Sequence, residues 1–392
     1  MKTLATVPRM WMAALLAAQL PQSGDGGQAT PGLPGTIATR ADTLAVDLRS
    51  PEMCGPRQAF DSVGSRRLPA GWGQTPGVAL QVVPDRGSSL RVVVFDPQRK
   101  VLRVASAGAT AEPTVRLSTI REIAPRGRLS LLTARPDSIL LWDATSSQIH
   151  VLGHDLTRVG ALNVWPRSGR RMELMWLSGT RYSFSQDELI PAAIGDSFNS
   201  YIEVGILETP DGRGDVIASI RGHSYGYVNG VRVPLPLSSS SLFAAGGDDL
   251  WVLDVDGLTL SRFGPNDAVR RWSLEGIARP NVDDASRKRA LQLTYRERSD
   301  DTAVQALPVP ERMPAFDRMI IDDVGDVWLR RFSLDRNREG SKWYVVGAGS
   351  GDVPCAVEFP VGFEVAGFDR GNRIALRSGV DGSPTIEWAA RN

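Results

Sequence analysis

Apolar and polar residues alternate over stretches of four to eight positions through most of the chain, and clusters of Gly, Pro, Asp and Asn bound these stretches. That is the pattern of half-buried antiparallel strands. Asp249-Leu-Trp-Val-Leu-Asp254 and Asp326-Val-Trp-Leu-Arg-Arg331 share one shape, an acidic turn residue followed by large alternating side chains. Two further short strands follow each: Leu258 to Phe263 and Ala268 to Leu274 in one case, Trp343 to Val346 and Val353 to Phe359 in the other. Similar triplets run Ile139 to Asp143, Gln148 to Leu152, Thr157 to Val164, and Val78 to Val83, Leu90 to Phe95, Val101 to Ala105. Weaker copies begin near Asp215 and Asn372.

A recurring unit that cannot bury its own face must stack against copies of itself. The copies therefore predict an all-β fold, a six-bladed β-propeller. Their mean spacing of about 59 residues exceeds the roughly 40 to 45 of a compact four-stranded blade, so insertions are expected. Two are read, residues 166–214 and 276–325, each between an outermost strand and the next innermost one, which would place both on one rim. The alternative is seven blades, because Glu173 to Leu177 and Tyr182 to Ser185 flank a Ser178-Gly179 turn like a hairpin. Ala285 to Arg298, behind the capping residues Asp283 and Asp284, is the one segment with a helical reading.

The chain resembles the six-bladed propeller proteins of bacteria, relatives of the NHL-repeat group. The likeness runs from about Thr36 to Asn392 and rests on Leu250-Trp-Val-Leu-Asp254, Met319-Ile-Ile-Asp-Asp-Val-Gly-Asp-Val-Trp328, Leu90-Arg-Val-Val-Val-Phe-Asp96 and the run Arg312-Met-Pro-Ala-Phe-Asp317. The Asn-rich turn usual between the second and third NHL strands is missing. The resemblance implies a fold and a binding or scaffold role, and supplies no catalytic residues.

At the N-terminus, Lys2 and Arg9 precede the apolar run Met10 to Leu20, and small and turn-forming residues follow. The pattern is that of a secretory signal, read as residues 1–22. At 11 residues the run falls short of the roughly 20 that span a bilayer. Residues 23–35 read as a Gly/Pro/Ser linker and 36–392 as the propeller. A secreted or periplasmic, monomeric protein is expected. Two cysteines, Cys54 and Cys355, are an even number suited to an oxidising compartment and form a candidate disulfide. Leu44 to Leu48 is expected to pair with the C-terminal blade as its missing outer strand.

The formal net charge of +1 over 392 residues argues against nucleic acid, which needs a concentrated basic surface. The only histidines are His150, His154 and His223, too few for a triad or three-His zinc centre in any ordinary context. His150-x-x-x-His154 lies on a strand entering a turn, where that spacing does not put both on one face. Gly195-Asp196-Ser197 resembles the nucleophile block of GDSL hydrolases, but the Asp-x-x-His which that chemistry requires is missing. Arg213-Gly214-Asp215 reads as a strand-entry turn. No catalytic, cofactor or metal residue is nominated. The alternative is a calcium-dependent lactonase-like propeller, which would need oxygen ligands such as Asn163, Asn199, Asn229 or Asn266 to converge.

Trp142, Trp251 and Trp328 recur in three copies and are expected to pack between blades. The two insertions mix Arg with aromatics, an interface composition. The candidate partner-binding residues are Arg170, Arg171, Trp176, Arg181 and Tyr182 in the first, and Arg287, Lys288, Arg289 and Tyr295 in the second. The partner, an unknown protein or small ligand, is not identified by these residues. The Arg287, Lys288 and Arg289 charges are expected to be exposed and dispensable for folding.

Overall fold

The chain divides into two units, Met1–Arg40 and Ala41–Asn392. The computed structural model describes residues 43–390, except 55–63, 68–78, 85–89, 107–113, 117–127, 135–136, 165–171, 190–196, 265–268, 336–338, 348–353, 370–371, 379–383 and positions 154, 180, 211, 213 and 323. The signal and linker expectations lie outside the described residues.

Three strands come first, β1 (Thr43–Asp47), β2 (Glu52–Met53) and β3 (Gly64–Arg67). The first sheet holds β4 (Ala79–Pro84), β5 (Leu90–Asp96), β6 (Val101–Ser106) and β7 (Thr114–Arg116). The second holds β8 (Leu129–Ala134), β9 (Ile139–Asp143), β10 (Gln148–Leu152) and β11 (Arg158–Asn163). The third holds β12 (Met172–Ser178), β13 (Arg181–Leu189), β14 (Phe198–Leu207), β15 (Asp215–Val228) and β16 (Val231–Pro234). The fourth holds β17 (Leu242–Gly246), β18 (Asp249–Asp254), β19 (Thr259–Phe263) and β20 (Val269–Glu275). Two helices follow, α1 (Asp284–Tyr295) and α2 (Thr302–Gln305), before the fifth sheet of β21 (Phe316–Ile321), β22 (Val327–Arg331), β23 (Ser341–Val346) and β24 (Cys355–Phe359). The sixth holds β25 (Phe363–Asp369), β26 (Asn372–Ser378) and β27 (Pro384–Ala390).

Within each sheet, consecutive strands pair antiparallel and the first strand touches the first strand of the next sheet. These neighbours run β4, β8, β12, β17, β21, β25 and back to β4. The fold is all-β and has the arrangement of a β-propeller. Period-two alternation explains the packing, since successive residues of a strand point to opposite faces. In β18, Leu250 and Val252 join Ile202 and Val204 of the third sheet, whereas Trp251 and Leu253 join Phe316, Val327 and Leu329 of the fifth. In β9, Ile139 and Leu141 meet Val93 and Phe95 of the first sheet, and Leu140 and Trp142 meet Leu174 and Phe184 of the third. Both faces are covered, so every residue of β9 is buried.

The recurring tryptophans each face the following sheet, as the repeat predicts. Trp142, Trp251 and Trp328 are all 1% exposed. Trp142 Nε1 donates to the carbonyl of Met172 across the seam at 3.2 Å, and Trp328 Nε1 donates to Asp322 Oδ2 at 3.2 Å. The turns between second and third strands repeat as well. Asp96, Asp143 and Asp254 each end a second strand and accept the backbone N–H two residues on, at 3.0, 2.9 and 3.1 Å. Lys100, Ser147 and Leu258, each four residues after its Asp, take positive φ.

Two expectations need correcting. The stretch 166–214 is not an insertion, because it supplies β12, β13 and β14, the inner strands of the third sheet. The Asp215 strand taken for a second strand is the fourth. It runs for 14 residues and shifts register against β14 in two places, which disrupts its alternation. Leu44 to Leu48 does not pair with the C-terminal sheet: β1 adds parallel to β20, where Leu48 is 2% exposed in the seam between the fourth and fifth sheets. The sixth sheet is instead completed by β3, antiparallel to β27.

The residues before the first sheet thus run along three successive outer edges. β2 adds parallel to β24 over only two residue pairs, and Cys54 follows it. The expected disulfide is present: Cys54 and Cys355 are bonded, with Cα atoms 4.9 Å apart and 301 residues apart in sequence. Cys54 N–H also donates to the Ala356 carbonyl at 2.9 Å. Replacing both cysteines with serine should lower stability by at most about 5 to 6 kcal/mol in the chain-entropy model. Hydrogen exchange is the check: the amides of β2 should lose protection first, and protection unchanged there would show that strand pairing alone holds the segment.

Candidate binding surface

The end of the fourth sheet opens into the only long connection that carries helix among the described residues. Its base is a stem in which Val282 N–H donates to Glu311 O at 2.8 Å and Met313 N–H to Pro280 O at 2.9 Å. Asp283 caps α1, as its sequence position predicts, by accepting from Ser286 N at 2.8 Å, and the Ser286 side chain first, with this backbone bond second, lowers the Asp283 pKa. Asp301 caps α2 in the same way through Ala303 N at 3.0 Å. Beneath the helices, Leu291, Tyr295, Val304 and Leu307 pack on Val228, Val233 and Leu235 from the third sheet.

The mounting uses several of the nominated cations. Arg287 donates through Nη2 to the carbonyls of Gln305 at 2.6 Å and Leu307 at 3.1 Å. These carbonyls lie at the end of α2, where backbone acceptors lack helical partners. Arg289 Nε lies 3.6 Å from Asp335 Oδ1, in the connection between β22 and β23. The Tyr295 hydroxyl donates to the Pro234 carbonyl, and burial pushes its pKa up. Arg287 is therefore a framework contact rather than a free surface charge, whereas Arg289 has only a partly exposed ion pair. Lys288 is exposed, as are Ala285 and Gln292 along the same helix face and Leu293 beside them.

The third sheet rises beneath these helices. Val228-Asn229-Gly230-Val231 turns β15 into β16 with φ of 52° at Asn229 and 75° at Gly230, the positive pair that a two-residue hairpin requires. The hairpin face that pairs Tyr225 with Pro234 and Tyr227 with Arg232 carries aromatics. Phe198 lies 5.7 Å from Tyr225 and 5.9 Å from Tyr227, and Arg232 sits 4.9 Å over the Tyr225 ring. At the seam with the fourth sheet, Arg221 pairs with Asp256 and donates to Asn199 Oδ1 and Ser224 Oγ at 3.3 and 3.2 Å. Ser239 Oγ donates to Asp256 Oδ1 at 2.8 Å, and Arg279 Nη2 lies 3.7 Å from the same oxygen.

The nominated residues do not share one surface. Arg170 and Arg171 lie outside the described residues. Tyr182 is 2% exposed in the seam between the second and third sheets, so its apolar ring is core. Trp176 packs against the same cluster, with Nε1 3.3 Å from the Gly179 carbonyl. Arg181 forms an ion pair with Glu208 at 3.0 Å and reaches the Asp248 carbonyl at 3.3 Å. Ser178 also bonds Asp248, so these groups gather where first strands turn into second strands. A connection from an outer strand to the next first strand emerges at the other end of the antiparallel strands, and α1 is on that end. The shared rim expected from the sequence is thereby lost. Of the asparagines, Asn163 accepts from Gln148, Asn229 forms a turn, Asn199 serves the seam, and Asn266 is outside the described residues.

No family model matches the chain, and no curated protein matches it. Among solved structures, it is similar to a putative exported protein from Bacteroides fragilis, at 11% identity and a TM-score of 0.47, covering 90% of this chain and 100% of that one. A member of the DUF4221 family from Bacteroides vulgatus aligns at 11% identity and a TM-score of 0.44, covering 84% and 97%. BamB from Moraxella catarrhalis aligns at 10% identity and 0.32, covering 84% and 99%. These likenesses assign no activity, ligand or partner to this chain.

The histidine expected to be an ordinary strand residue has one distinctive property. His150 is fully buried between Leu141 and Ala161, on the side of the second sheet facing the first, and its His154 companion is outside the described residues. Neither ring nitrogen has a hydrogen bond, and Asp143 Oδ2 is 3.7 Å from Nε2. Burial, helped by Arg158, lowers the pKa below the ordinary 6.5 against the opposing pull of Asp143. The unfolded chain therefore takes up this proton first, and stability falls as pH drops below about 6.5, by at most about 1.4 kcal/mol per pH unit. His150→Gln should lose less melting temperature than the wild type between about pH 7.5 and about pH 5.5; equal losses would show that His150 does not contribute.

Proposed function

We propose that this chain is an exported six-bladed β-propeller, a monomer that acts as a binding or scaffold module for a protein or small ligand. The cyclic succession of first strands supports six blades, with the Ser178-Gly179 hairpin belonging to the third blade rather than adding a seventh. The strand motifs quoted above carry its kinship with the NHL-repeat group. Export is supported by the basic, apolar and small-residue order of the N-terminus and by the Cys54–Cys355 bond, which persists in oxidising compartments.

One observation carries the binding reading. The helical connection is anchored by Arg287, Tyr295 and a buried apolar patch, while Lys288, Gln292 and Leu293 face outward. A rigidly mounted element with a free face is how scaffold folds present binding residues. Leu293 remains 50% exposed although apolar, which suits a contact surface. The opposite end of the sheets, where Ser178, Arg181 and Asp248 meet, has tight turns.

A photo-crosslinking residue placed at Lys288 or Gln292 in the exported protein should give discrete adducts, and the same residue at Asp248 should give none. Lys288→Glu should abolish the adducts formed from position 292 while changing stability by less than about 0.5 kcal/mol. Adducts from position 248 alone would move the binding face to the other end. Calcium-stimulated lactone or ester hydrolysis by the purified protein would replace the binding reading with an enzymatic one.

A further inference from the structure

We infer that the seam between the third and fourth sheets holds a binding subsite for a ligand carboxylate, formed by Arg221 and Arg279. The inference rests on the reading of this end of the sheets as the binding face. Two guanidinium groups from different elements converge there on one carboxylate, that of Asp256. The pair therefore keeps one positive charge in excess, in a place where the Arg279 side chain is only 19% exposed.

Neither guanidinium is fully used. Arg279 donates through Nε to the Met313 carbonyl at 3.1 Å, and its terminal nitrogens have only the 3.7 Å ion pair with Asp256. Arg221 is bonded through Nη1 and Nη2, but its Nε is buried without a hydrogen-bond partner. An arginine fork has five N–H donors and matches carboxylate geometry. The Arg279 terminal nitrogens, which have no closer acceptor than Asp256, are the donors that a ligand oxygen can meet, whereas the buried Arg221 Nε stays out of its reach.

Both forks are held before any ligand arrives. Arg279 sits on the stem closed by the Pro280–Met313 hydrogen bond. Arg221 is fixed on β15 by Asn199 Oδ1, which also accepts from Ser224 Oγ at 2.7 Å. Ser239 holds Asp256 from the other side. Preorganised donors lose little freedom on binding, which favours affinity. Asp256 shows the chemistry that the pair accepts, and one more monoanion would balance the charge.

The test uses purified protein, so it reads the subsite independently of any partner. Acetate is titrated at constant ionic strength against chloride while the arginine side-chain Nε–H resonances are followed. Saturable changes at Arg279 and Arg221 are expected, and the change at Arg221 should be lost in Arg279→Gln. Asp256→Asn removes the resident competitor and should tighten acetate binding at least about tenfold. It should also lose stability that acetate restores and chloride does not. An N-acetyl dipeptide with a free C-terminus that binds more tightly than acetate would assign the carboxylate to a peptide end, and equal affinity to a small acid, with the amidated dipeptide as the blank. Equal effects of acetate and chloride, or acetate binding unchanged in Arg279→Gln, would overturn the subsite.

Discussion

Each sheet has to be covered on both faces, and that requirement organises the rest of the molecule. One alternation along β18 supplies two seams, with Leu250 and Val252 on one side and Trp251 and Leu253 on the other. Burying a large apolar side chain contributes roughly 1.5 to 3 kcal/mol. A sheet covered on one face only would forfeit that term for half of its side chains. The cycle of first strands meets the condition by giving every sheet a neighbour on each side. It also demands closure, and β3 provides closure by joining residues from before the first sheet to the last strand of the chain.

Stacking does not protect the outer edges, whose unpaired backbone groups invite further strands. The chain uses its early residues there, laying β1 on the fourth sheet, β2 on the fifth and β3 on the sixth. The covalent bond sits where pairing is weakest. β1 is held by five residue pairs and by Leu48 in the core, whereas β2 has two pairs and both of its residues are exposed. A disulfide immediately after β2 fixes what two strand pairs cannot.

The middle strands were legible in the sequence because burial on both faces leaves dense apolar runs such as Ile-Leu-Leu-Trp in β9. Gly64-Ser-Arg-Arg67 contains no apolar residue, and nothing in its pattern marks a strand, so closure was assigned to the more apolar Leu44 to Leu48. The third sheet is hard to read from sequence because β15 is long, glycine-containing and shifted in register. Asn229-Gly230, a strong hairpin signal, would have placed its end. Cysteine parity and the Asp283 cap were both readable. The inward use of Arg287 was not, because a charge pattern cannot show which helix face meets unpaired carbonyls. Tyr182 failed as a surface residue for a related reason, since an aromatic beside arginine is core or contact according to strand register alone. Arg221, Asp256 and Arg279 lie far apart in sequence and carry no shared motif, so only the fold brings them together.

The two ends of the sheets differ in a way that follows from chain direction. Turns between first and second strands are short, as at Ser178-Gly179 and Gly247-Asp248, and their polar groups are occupied with one another. Connections between sheets emerge at the opposite end and have room to grow. The one between the fourth and fifth sheets reaches back over Val228 and Val233 of the third and forward to Asp335 of the fifth, so it ties three successive sheets together. That bracing fixes Arg279, on the stem after β20, relative to Arg221 on β15. A pair of guanidinium groups discriminates ligands only if their separation is set before binding. In this molecule the helical connection sets it, which is why the mounted helix and the arginine pair are found at the same end.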